Sequence, residues 1–136
     1  MLSLIVLLAW FTSFEQAQNL AQEQQKPILL VFSGSDWCRP CIQLDREVFQ
    51  DPAFQAFAEG ELILLKADFP RRKKNQLTPE QKAENESLAQ RYNPKGEFPL
   101  VLLLDPEGNV LSRTAYRPGG AKAFVEYLQT NWPESR

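Results

Sequence analysis

The 136-residue chain has no histidine and only two cysteines, Cys38 and Cys41. A closed zinc site draws on four Cys or His ligands, commonly as two separated pairs. Zinc or an iron–sulfur centre would therefore have to borrow carboxylates or a second chain, and no metal is expected. Positive charge is also in short supply: 15 Lys and Arg face 17 Asp and Glu, a net charge of −2. Phosphate recognition needs a basic surface, so no nucleic-acid partner is expected. The one basic cluster, Arg71-Arg72-Lys73-Lys74, lies between Asp68 and the acids from Glu80 onward and reads as a solvated loop.

A bilayer-spanning run of roughly 20 apolar residues is missing as well. Leu2 to Phe11 is apolar but too short, and it gives way to small and polar residues. It fits the apolar core of a secretory signal peptide, with cleavage expected near Ala17 to Asn19. That divides the chain into an apolar segment, 1–18, and one domain, 19–136. No Lys or Arg precedes the run, so either the true start lies upstream or the segment is an uncleaved anchor lying against a membrane. No cysteine adjoins it to carry a lipid.

What is present reads as alternating strands and helices. Glu15 to Gln25 is a short polar helix ended by Pro27. PILLVFS (27–33) and ELILLKAD (61–68) are continuous apolar runs, as in strands buried on both faces. A helix is expected from about Cys38, with Ile42, Asp45, Val48 and Phe49 on one side, and a short helical turn after Asp51-Pro52. Thr78-Pro79-Glu80-Gln81 starts a helix that carries Ala83, Leu88 and Ala89. FPLVLLLD (98–105) and VLSRTAY (110–116) form a hairpin across a tight turn, and 121–131 is a closing helix with Phe124, Val125 and Leu128 inward. The order β-α-β-α-β-β-α predicts an α/β domain with a mixed sheet of about four strands between helices on both faces.

Both cysteines lie in DWCRPC, residues 36–41. A structural staple across two intervening residues closes almost no loop and adds little. Redox exchange fits the position better. Cys38 falls where a strand ends and a helix begins, and unpaired N–H groups with the positive end of the helix dipole favour a thiolate there. Cys41, one turn inside, is placed to attack a mixed disulfide on Cys38. Arg39 adds a positive charge beside the thiolate, and Pro40 suits a first turn that needs no N–H.

Trp37-Cys38-Arg39-Pro40-Cys41 resembles the W-C-x-P-C active site of the thioredoxin superfamily, and the element order is similar over roughly residues 20–132. FSGSDWC and KADFPRR look more like secreted bacterial thioredoxin-like proteins than cytosolic thioredoxin. The resemblance implies a thioredoxin fold and catalytic Cys38 and Cys41. It also implies a cis-Pro99 that faces the cysteines and a substrate-binding surface around Trp37, Arg39, Pro40, Phe98 and Pro99. Three departures stand out. Phe32 occupies the place of thioredoxin's buried Asp, Arg46 that of a helix proline, and Leu100 that of a threonine. Asp45, four residues after Cys41 on the same helical face, reads as a solvent-facing or capping carboxylate before a substitute acid for a proton relay. Lys66 aligns with a lysine near the thioredoxin active site or is a strand lysine pointing to solvent.

The implied activity is thiol–disulfide exchange in the bacterial envelope by a monomer without bound cofactor. Its partners would be disulfide- or thiol-containing proteins, with a membrane thiol reductant as electron donor. The competing expectation is a non-catalytic module that presents Trp37 and Phe98-Pro99 to a protein partner.

Overall fold

The computed structural model describes residues 9–132. Strands β1 (Trp10–Phe11), β2 (Ile28–Ser33), β3 (Ile63–Asp68), β4 (Leu100–Leu104) and β5 (Val110–Thr114) form one mixed sheet in the order β1-β3-β2-β4-β5. β3 runs parallel to β1 and β2, while β4 is antiparallel to β2 and β5. Helices α1 (Phe14–Gln24) and α4 (Pro79–Tyr92) pack on one face. On the other lie α2 (Arg39–Leu44) with its π-helical continuation Asp45–Phe49, then α3 (Pro52–Glu61) and α5 (Gly120–Thr130).

The sheet needs both covers because β2 and β4 are apolar at almost every position and buried throughout. Leu29, Val31, Leu64, Val101 and Leu103 meet Leu44, Val48, Phe54 and Phe124 on one side. Ile28, Leu30, Phe32, Leu65, Ala67 and Leu102 meet Ala17, Ala21, Leu88 and Tyr92 on the other. Side chains alternate across a strand, so consecutive residues of one run serve two cores.

Four expectations change. The sheet has five strands: Trp10 pairs with Leu64 and Phe11 with Leu65, so the ordered domain starts before residue 19. Helix α1 begins at Phe14, capped by Ser13, and it buries Ala17 and Ala21. Cleavage near Ala17 to Asn19 would remove β1 and cut α1, while Leu2 to Leu8 of the apolar run lie outside the described residues. The turn at Asp51-Pro52 is a ten-residue helix, capped by the Asp51 carboxylate on the Ala53 N–H. In α2 the inward residues are Cys41, Leu44, Val48 and Phe49, with Ile42 and Asp45 half-exposed. Cys41, Leu44 and Val48 follow ordinary helical spacing, and a π turn, where the Gln50 N–H reaches the Asp45 carbonyl, follows Leu44. In α4 Ala83 is exposed and Asn85 is buried instead. Among the described residues no helix is long and apolar enough to cross a membrane.

Candidate active site

Gly34 to Cys38 carry the chain from the end of β2 into α2. Cys38 is the N-cap, and its sulfur accepts the Cys41 N–H at 3.4 Å. The Cys41 sulfur in turn accepts the Gly34 N–H at 3.4 Å. The two cysteines form a disulfide with their Cα atoms 5.2 Å apart. Only 5% of Cys38 and 3% of Cys41 is exposed. A thiolate released at Cys38 would therefore face the first N–H groups of α2, where the helix dipole stabilises negative charge. Arg39 and Pro40 occupy the first two helical positions and are exposed, so the missing proline N–H costs the helix nothing.

Trp37 directly precedes the pair. Its indole Nε1 donates to the Phe69 carbonyl at 2.7 Å. Its ring meets Phe98 edge-on at 5.4 Å, and Phe98 meets Phe69 at 5.4 Å. The Phe98–Pro99 peptide bond is cis, and Pro99 is buried at the entry to β4. Trp37 and Phe98, 61 positions apart in sequence, thus share one aromatic rim.

Phe32 is fully buried in β2 and stacks on Phe69 at 6.4 Å, so no carboxylate occupies that place. Asp45 and Lys66 come together with each other: Lys66 Nζ lies 3.9 Å from Asp45 Oδ1 and over the Trp10 ring at 4.9 Å. The Asp45 carboxylate also accepts from the Gln50 amide. Both side chains remain part-exposed.

Sequence reasoning missed the residues that fasten this site. The Asp36 carboxylate accepts the backbone N–H groups of Arg71 and Arg72 and the Asn75 amide, each at 2.9 Å. The Arg71 and Asn75 hydrogen bonds are the main cause that holds Asp36 below the usual carboxylate range. Asp68 takes the Ser35 N–H at 3.0 Å and its hydroxyl at 2.6 Å. Buried Asn85 then donates to the Asp68 carbonyl at 2.9 Å. An acid directly before a W-C-x-x-C motif and basic residues after β3 were visible, but their pairing was not. Beside α2, a groove of about 480 Å³ is lined by Asp36, Trp37, Arg39, Ile42, Arg46 and Glu47. Tyr116 donates to Glu47 at 2.7 Å, and this hydrogen bond pushes the Tyr116 hydroxyl above its ordinary pKa.

A disulfide at the β2–α2 junction, with a cis-proline leading into β4, the sheet neighbour of β2, defines a thioredoxin-fold redox protein. The chain belongs to the thioredoxin-like family, whose profile matches residues 9–106. It is 36% identical over 118 residues to the disulfide bond reductase DsbH of Chlamydia pneumoniae, covering 87% of this chain and 69% of that protein. A solved structure described as DsbH oxidoreductase shares the fold with a TM-score of 0.85 at 33% identity, covering 93% of this chain and 85% of the other. The thiol:disulfide interchange protein DsbD of Vibrio vulnificus (strain CMCP6) is 32% identical over 117 residues, of which this chain spans 18% of the length.

Proposed function

We propose that this thiol–disulfide oxidoreductase reduces disulfides of proteins in the bacterial cell envelope. The observation that carries the reading is the Cys38–Cys41 pair, closed across the first turn of α2. In the reduced protein the Cys38 thiolate attacks one sulfur of a substrate disulfide. That S–S bond breaks, the other substrate sulfur leaves as a thiolate, and a mixed disulfide forms on Cys38. Cys41, deprotonated, attacks the Cys38 sulfur and expels the second substrate thiolate. Two electrons have passed from the pair to the substrate, which takes up two protons, and the internal disulfide is restored. A membrane dithiol would reduce it again; the pair itself carries the electrons and no bound cofactor enters.

Trp37, Phe98 and Pro99 are the surface on which the substrate backbone would lie, with Arg39 and Pro40 at its edge. Asp45 and Lys66 are proposed to handle the Cys41 proton through their mutual contact. Asp45→Asn would then shift the pH profile of the resolving step; an unchanged profile makes the pair structural. The reductive direction rests on similarity to the reductase DsbH, and the envelope location on the apolar run from Leu2. Because Trp10 to Gln24 belong to the folded domain, any processing would fall before Trp10 or the run would stay as an anchor. N-terminal sequencing of the protein from cell fractions decides between them.

The test is a Cys41→Ser variant. Covalent adducts to envelope proteins through Cys38 are expected, and Cys38→Ser should form none. Absence of adducts, with no reduction of a model disulfide by the wild type, would leave a binding module with a closed disulfide.

A further inference from the structure

We infer that the loop Phe69 to Leu77 is a cationic docking arm for substrate segments rich in Asp and Glu beside the disulfide to be reduced. This rests on the oxidoreductase reading and adds the class of substrate. The loop FPRRKKNQL carries four consecutive cations, Arg71 to Lys74, in a chain whose net charge is −2. It is tied to the redox motif at three points. Trp37 donates to the Phe69 carbonyl, Asp36 accepts from Arg71, Arg72 and Asn75, and the Arg71 guanidinium lies 3.6 Å above the Trp37 ring. A short 3₁₀ turn, Lys73–Asn75, and the Gln76 amide on the carbonyls of Pro70 and Arg72 complete it.

All four basic residues are exposed, and among the described residues none forms an ion pair. Of the nearby acids, Asp36 and Asp68 have both carboxylate oxygens occupied by hydrogen bonds. Arg39, next to Cys38, and Arg46 line the groove shared with Asp36, Trp37 and Glu47. A local field of one sign raises encounter rates with oppositely charged partners by about 10- to 1,000-fold, and salt screens it. The arm borders a sulfur pair that acts on polypeptides, and the rest of the chain is acidic, so a protein segment fits it better than a nucleic acid.

The test compares two disulfide-bonded peptides identical except for Glu or Lys flanks, with neutral 2-hydroxyethyl disulfide as reference. The variant is Arg72→Ala/Lys73→Ala/Lys74→Ala, which spares Arg71 on Trp37. At low salt the wild type should reduce the Glu peptide at least about 10-fold faster in kcat/KM than the Lys peptide. The preference should vanish near about 1 M salt, where the screening length is about 3 Å. The triple variant should lose the preference yet reduce the neutral disulfide within about 2-fold of wild type. Equal rates on the two peptides, or a preference that survives the triple substitution, would overturn the arm. So would salt-sensitive binding of duplex DNA without any peptide preference. Inactivity toward all three disulfides would overturn the oxidoreductase reading itself, and the arm with it.

Discussion

The indole N–H of Trp37 donates to the carbonyl of Phe69 at 2.7 Å, joining the redox motif to the loop after β3. The ring lies so close to Gly34 that an added Cβ would fall on its Cε2, Cζ2 and Nε1 atoms. Phe98 and Arg71 hold its other contacts, leaving the ring little room to yield. Gly34→Ala should therefore cost about 1–3 kcal/mol in urea denaturation and slow disulfide reduction by displacing Trp37. Unchanged stability and rate would mean that the ring is not fixed.

Asp36 holds the loop through backbone N–H groups, so its removal is read at those amides. Asp36→Ala should speed hydrogen exchange at Arg71 and Arg72 by about 10-fold relative to wild type at neutral pH. The hydrogen bonds from Arg71 and Asn75 hold the Asp36 carboxyl below its ordinary value of 3.8. Its contribution is thus fully present above 3.8 and is lost as pH falls through the lower folded value. The difference between wild type and variant should close only in that acidic range.

Phe32 decides whether thioredoxin's buried acid can be restored. Its ring is fully buried between Phe69 and the α1–α4 core. Phe32→Asp should cost at least about 3–5 kcal/mol, since it opens a cavity and buries a carboxylate. Phe32→Leu should cost less. If Phe32→Asp is stable and faster at resolving mixed disulfides, the site already carries partners for the acid.

Local signals explain what was legible in the sequence. The continuous apolar runs of β2, β3 and β4, the Thr78 and Asp51 caps, and the Cys38 position at a strand–helix junction each depend on neighbours in sequence. Pro99 was placed at a strand entry for the same reason. The Asp36 and Trp37 contacts were not legible because their partners lie 32 to 39 residues away, on a loop whose path depends on the finished sheet. Two-residue β1 carries no periodicity, and its Trp10 and Phe11 looked like the tail of an apolar leader. In the helix after Cys38 the buried face follows Cys41, Leu44 and Val48 at ordinary helical spacing. With apolar residues on both sides, the short pattern did not decide between this face and the one through Ile42 and Asp45. Tertiary pairing, rather than propensity, settled each of these.

Truncation tests the N-terminal boundary. Removing residues 1–18 deletes β1 and the buried Ala17, and strips Trp10, Phe11 and Phe14 from the two cores. Stability should fall by at least about 3 kcal/mol relative to a chain starting at Ala9. Equal stability of the two would show that β1 and the first turn of α1 are dispensable.

The reduction potential of the Cys38–Cys41 pair, measured by equilibration with a dithiol buffer of known potential, decides whether this protein is a reductase. A reductase should exchange reversibly and lie nearer thioredoxin's about −270 mV than the about −120 mV of a strong oxidant, shifted upward by the Arg39 charge. A disulfide that does not exchange would leave a binding module, and a potential near about −120 mV would make the protein an oxidant.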